Sequence, residues 1–234
     1  MTGKNGRIKP ESQIKVIIMN YQDIYNKDYF LGKTSCFYKF GYVDGGMAFD
    51  DIFKETTKHR SSGKVLDVGC AYGYLLKRFE KNFDLYGLDV SEYAIEKARK
   101  KIPGANLLVR DIEKKLPYPD NYFDIILMID ILEHIRKEKH FEILAEVRRC
   151  LKGGGVLYVS TPNKNIIRKT FFKIPDKMEH HIALLTNEEL LKLLVKNGLT
   201  TVNKYTFSSF FYLPAVKFKN DWGVQTVAVC QKQH

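Results

Sequence analysis

Three observations predict an α/β fold built on a mostly parallel sheet. Short apolar runs alternate with helical patterns from Lys64 to Ser160. One run ends in a turn of small residues, Gly69, Ala71 and Gly73. The next, LYGLDV, ends at an acid, Asp89, about twenty residues on.

Val65, Leu66 and Val68 make strand 64–68 nearly continuous in apolar residues, as burial on both faces of a parallel sheet requires. The spacing of Leu75, Leu76 and Phe79 predicts a helix over about 73–81. Strand 84–89 follows. Ser91 then caps the helix SEYAIEKARKK, whose Glu92 suits the positive helix start and which Pro103-Gly104 ends. Strand 105–109 leads to Asp111, and the loop LPYPDNYFD leads to strand Phe123–Ile129. The turn DILEHI and an amphipathic helix around Glu138–Leu151 come next; Gly153–Gly155 stops that helix and opens strand Val156–Ser160. Such alternation puts helices on both faces and makes the crossovers right-handed. A ligand then belongs at the carboxyl ends of the strands, near the reversal of strand order.

The flanks are less regular. Residues 12–25 carry a helical stripe (Ile14, Ile17, Ile18, Tyr21, Ile24, Tyr25) with Ser12 as its cap, followed by an aromatic stretch and a helical segment near Met47–Lys58. Beyond Asn163, residues 164–177 are basic and apolar together. Thr186-Asn187-Glu188-Glu189 is a capping box for a leucine-rich helix ending at Asn197-Gly198. A strand near Leu199–Tyr205, an aromatic connector and a last strand Val224–Cys230 complete the chain. We divide it into an N-terminal helical lid or extension, 1–60, and one domain, 61–234, in which 164–181 and 205–222 are substrate-cover segments.

At 234 residues and 44% hydrophobic, the chain can bury one large α/β core. No apolar run approaches the roughly 20 residues that cross a bilayer, and the polar start lacks a signal-peptide core. Cys36, Cys70, Cys150 and Cys230 lack CxxC spacing and read as reduced thiols, so no metal is expected and the expected location is cytoplasmic. The net charge of +11 admits nucleic acid, an anionic membrane or an acidic substrate as partner. The lysines are dispersed, however, which favours plain solvated helix faces.

The turn decides the ligand class. The dinucleotide fingerprint Gly-x-Gly-x-x-Gly would need glycine at positions held by Ala71 and Tyr74. Instead, Asp67-x-Gly69-x-Ala71-x-Gly73 resembles motif I of the class I S-adenosylmethionine-dependent methyltransferases, with alanine where that family usually has a third glycine. The block LPYPDNYFDIILMIDILEHI is similar to the family's LPF-x-D-x-x-FD…LEH signature, and GGGVLYVSTPN to its fifth-strand motif. The resemblance covers roughly residues 60–160 and is closest to the small-molecule branch that includes ubiquinone- and menaquinone-biosynthesis enzymes. It implies a Rossmann-like, seven-stranded, mostly parallel sheet with an antiparallel last strand.

Carried over residue by residue, the resemblance implies that Gly69, Cys70, Ala71 and Gly73 wrap the methionine and ribose of the cofactor. A ligand there is expected to meet free N–H groups at the helix start. Asp67 would face the methionine amino group, Asp89 the ribose hydroxyls, and Val90 the adenine. Asp111 and the Ile112 N–H would read the adenine edge, while Met128 and Ile129 border the sulfonium.

His181 is the first candidate general base, because His-x-x-x-x-Thr-x-Glu matches a pattern of small-molecule O- and N-methyltransferases; His180, His134 and Asp130 follow. Glu133-His134 reads as a turn-shaping pair. The Pro-Pro motif of exocyclic-amine methylation and the cysteine nucleophile of cytosine-C5 enzymes are both missing. The expected reaction is therefore O-methylation of an apolar or aromatic small molecule. Alternatives are RNA methylation, or a cofactor-binding partner protein that has lost catalysis. Arg168, Lys169 and Lys173 beside Phe171, Phe172 and Ile174 suit peripheral contact with an anionic membrane, or a solvated face over core packing.

Overall fold

The computed structural model describes residues 20–208 and 216–233. Residues 12–19 of the expected first helix, Ser12 included, and 209–215 of the aromatic connector lie outside them. The described chain opens with two asparagine-capped single turns, α1 (Tyr21–Ile24) and α2 (Lys27–Phe30), the side chains of Asn20 and Asn26 accepting from the first helical N–H groups. Helix α3 (Met47–Thr57) leads to β1 (Gly63–Val68).

The helix expected over 73–81 is a single 3₁₀ turn, Leu76–Phe79. Gly73 sits in the left-handed region (φ +73°), so the motif turn uses up the residues that would have begun a longer helix. The pattern then runs as expected: β2 (Phe83–Asp89), α4 (Glu92–Lys101) capped by Ser91, β3 (Asn106–Val109) and β4 (Phe123–Ile129). The DILEHI turn holds a 3₁₀ turn, Leu132–His134, before α5 (His140–Cys150). Strand β5 (Leu151–Pro162) absorbs Gly153–Gly155 rather than starting after them. Residues 164–181 contain two short helices, α6 (Ile166–Phe171) and α7 (Lys173–Met178). The capping box opens α8 (Asn187–Lys196), and β6 (Leu199–Ser208), β7 (Val216–Phe218) and β8 (Gln225–Lys232) finish the sheet.

The strand order is β3-β2-β1-β4-β5-β8-β6-β7. β1 to β5 are parallel, and β8 runs antiparallel between β5 and β6. The three-residue β7 is an antiparallel edge strand beyond the seven expected. Strand alternation divides the core into two layers. Leu66, Val68, Ile126 and Met128 pack under α5 and α8, while Val65, Ile125 and Leu127 pack under α3, α4 and the 3₁₀ turn. Strand order reverses between β1 and β4, which opens a crevice at their carboxyl ends.

Candidate active site

A cavity of about 490 Å³ occupies that crevice. One wall comes from the ends of β1 to β3: Asp67, Gly69, Cys70, Ala71, Asp89, Val90, Asp111 and Ile112 all line it. The turn after β1 has Gly69 at φ +79° and Ala71 at φ +46°, so Ala71 holds a left-handed conformation that glycine would take without strain. Its donors are spent internally: Gly69 and Cys70 N–H donate to Leu88 O (2.7 and 3.1 Å), Ala71 N–H to Asp89 Oδ2 (3.0 Å), and Gly73 N–H to Cys70 O (2.8 Å). The free N–H groups expected of this turn are absent at these four residues, so acidic side chains carry its polarity.

Asp89 also accepts from Ser91 N–H at 2.8 Å and thereby ties the turn to α4. Burial pushes its carboxyl up to about 6, against the downward pull of those backbone donors. Burial, reinforced by the charge of Asp89, pushes Asp67 up to about 7. Asp111 closes its own turn by accepting from Glu113 N–H at 2.9 Å.

The opposite wall comes from the end of β4 and the loop after α7: Ile129, Asp130, Glu133, His134, Arg168, Glu179 and His181. Glu133 is fully buried; one carboxylate oxygen accepts from Thr161 Oγ1 at 2.9 Å, and the other has no partner. Burial pushes its carboxyl upward, as does the charge of Asp130. His134 Nδ1 lies 2.7 Å from the Tyr25 hydroxyl; burial, with His181 beside it, lowers that imidazole to about 3 and keeps it neutral. His181 Nδ1 lies 2.8 Å from Asp176 Oδ1, and the two histidine rings meet edge to face at 4.9 Å. Asp176 is itself clamped by the buried Arg168 guanidinium. Asp130, at φ +53°, accepts from Ser160 Oγ (3.2 Å).

Five sequence expectations are corrected. Met128 faces the α5–α8 layer because it alternates with Ile129, and it does not border the cavity. Gly73 packs towards Ile102 and Ala98 rather than the cavity. His180 is exposed on the turn after α7, at φ +58°, and is not among the lining residues that its neighbour His181 joins. Glu133-His134 is part of the wall, not merely a shaped turn. Arg168, read as surface charge, is only 2% exposed. Lys169, Lys173, Phe171 and Ile174 of the same segment are exposed.

Sequence reasoning missed Asp176, Glu179 and Tyr25. Glu179 is buried and accepts from Ser35 Oγ (2.8 Å), Cys36 N–H (2.7 Å), Phe37 N–H (3.1 Å) and Tyr29 OH (3.0 Å). It holds the aromatic stretch over the cavity, where Tyr21, Tyr25, Tyr29, Phe30, Tyr38 and Tyr42 form a roof packed largely edge to face. A glutamate after a basic run gives no signal of such a latch.

Residues 66–159 match a family model described as a methyltransferase domain. An uncharacterised protein of Methanocaldococcus jannaschii is 36% identical over 55% of this chain and 57% of its own length. A ubiquinone biosynthesis O-methyltransferase of Bartonella quintana is 28% identical over 60% of this chain and 62% of its own. A solved Thermotoga maritima structure, described as an S-adenosylmethionine-dependent methyltransferase and possible histamine N-methyltransferase, covers 80% of this chain and 89% of its own at 22% identity, with a TM-score of 0.63. The chain spans little more than half the length of the first curated relatives it matches. Motif, strand order and these likenesses agree: residues 66–159 match a methyltransferase domain, and the chain has the fold of the solved structure it resembles.

Proposed function

We propose that this chain moves a methyl group from S-adenosylmethionine to a hydroxyl of an apolar or aromatic small molecule. One observation carries the reading: a single cavity has a row of acids at one wall, a carboxylate–histidine cluster at the other, and an aromatic roof between them. The acids suit the cofactor's ammonium, ribose and adenine. The aromatic side chains suit an apolar acceptor. The Bartonella relative, an O-methyltransferase by name, supports oxygen as the acceptor.

The sulfonium methyl is already activated, so the protein must chiefly align the acceptor in line with it. Asp89 keeps two carboxylate oxygens at the cavity wall for the ribose while pinning the turn. Glu133, His134 and His181 stand where the acceptor hydroxyl would be activated, a gain of about 10²–10⁴-fold for proton removal. The exposed lysines and apolar side chains of α6 and α7 suit an approach to membrane-borne acceptors.

The test is incubation with methyl-labelled cofactor and fractions of a metabolite extract. Label in an organic-soluble product, lost in Asp89→Asn, is the expected result. Label in polymeric RNA would replace this reading with RNA methylation, and cofactor binding without any product would make the chain a binding partner.

A further inference from the structure

We propose that Glu133, His134 and His181 form a binding site for a first-row divalent metal ion, which holds the acceptor oxygen during methyl transfer. The metal site stands on the side chains themselves; only its role at the acceptor rests on the methyltransferase reading.

One ligand atom from each of the three residues lies within 4.8 Å of the other two. Glu133 Oε1 is 4.0 Å from His134 Nε2. An ion at about 2.1 Å from each would draw these atoms in by about an ångström, within reach of small side-chain rotations. The second observation is independent of the clustering. Glu133 Oε1 is buried and has no hydrogen-bond partner, whereas Oε2 accepts from Thr161. A buried carboxylate oxygen without a donor is costly, and a cation beside it removes that cost.

The third observation is the state of the two rings. His134 Nδ1 contacts the Tyr25 hydroxyl, and His181 Nδ1 contacts Asp176. On His181 Nε2 is therefore the nitrogen left over, and on His134 Nε2 is the one facing Glu133 Oε1. An imidazole whose far nitrogen is fixed by an oxygen is the usual setting of a metal-bound histidine. Arg168 completes that support by binding Asp176 through Nε and Nη2.

Two imidazoles and one carboxylate favour zinc, manganese, iron or cobalt over calcium, which wants oxygen ligands only. Three protein ligands leave positions open, and all three residues line the cavity. A hydroxyl bound there passes its proton to solvent water. Its oxygen then forms the O–CH₃ bond as the C–S bond breaks, and the sulfonium sulfur takes that electron pair to become a neutral thioether. The ion does Lewis-acid work on the nucleophile and no redox chemistry.

The experiment titrates Co²⁺ into the chelator-treated, tag-free full chain, read by calorimetry and by the visible absorption of the bound ion. One equivalent of Co²⁺ per chain is expected, with absorption bands of nitrogen–oxygen coordination. Glu133→Gln and His181→Ala should each abolish the bands, and Asp176→Asn should weaken Co²⁺ binding about 10–100-fold. S-adenosylhomocysteine binding, measured on the same samples, should persist in Glu133→Gln and shows that this conservative variant is folded. Absence of saturable Co²⁺ binding, or binding that neither variant changes, overturns the site. Loss of S-adenosylhomocysteine binding by the wild-type chain while Co²⁺ still binds would instead overturn the cofactor reading and leave the metal site standing.

Discussion

Asp67 and Asp89 are buried carboxylates whose ionised forms are what a cofactor carrying an ammonium and ribose hydroxyls requires. Burial raises them to about 7 and about 6, so both hold a proton in a mildly acidic, cofactor-free protein. A ligand that binds their ionised forms must expel those protons, so its affinity is expected to fall as pH drops through 7 and 6. The same shift acts oppositely on stability. A carboxyl raised above its unfolded value favours the fold at low pH, and that contribution is lost as pH rises through about 6 to 7. S-adenosylhomocysteine is expected to bind at least about tenfold more weakly at pH 5.5 than at pH 8, by calorimetry. Equal affinity at the two pH values would mean that neither acid meets the ligand.

The residue scale also marks what could be read in advance. The positions of Asp67, Asp89 and Asp111 at the cavity wall were legible because each acid stands at or just past the carboxyl end of an apolar strand that the sheet must bury. Met128 was misplaced by one position, since a strand sends neighbouring residues to opposite faces. His181 was legible through its spacing to the capping box, but its partner Asp176 was not. Their contact depends on how α6 and α7 fold back, which no periodicity records.

At the scale of elements, regular alternation made the strands and α4, α5 and α8 readable, while the cover segments were not. A run such as KNIIRKTFFKIPDK has neither period, and only the tertiary structure decides that Arg168 goes in while Lys169 stays out. The aromatic stretch depends on Glu179, which gathers four donors from residues 29–37. Removing that carboxylate leaves those donors without their partner, at about 1–3 kcal/mol for each that stays buried. Glu179→Ala is expected to open trypsin cleavage at Lys33 and Lys39 while α8 stays protected. A cleavage pattern identical to wild type would show that other contacts hold the segment.

For the whole molecule, the parallel strands and two-layer core follow from strand alternation, the antiparallel last strand follows from the family resemblance, and the short β7 lay beyond what the connector's composition could show. The charge of +11 is spread over many faces, and several lysines and arginines are already spent on ion pairs such as Lys64–Asp84 and Lys152–Asp124. Its effect is long-range and salt-screened rather than a built site. Ligand binding should report on the fold as one unit. S-adenosylhomocysteine at about a hundredfold excess over its dissociation constant contributes about 2.7 kcal/mol, and so should raise the melting temperature by about 5–11 °C. A melting curve that ignores the ligand would argue against a shared core and cavity.

The tyrosine roof has a kinetic corollary. A ligand beneath it is expected to leave faster once residues 29–38 are freed from Glu179, as in Glu179→Ala. Were that release slower than the bond-making step, turnover of the proposed reaction would rise in the same variant, and its ceiling would be set by how often the door opens.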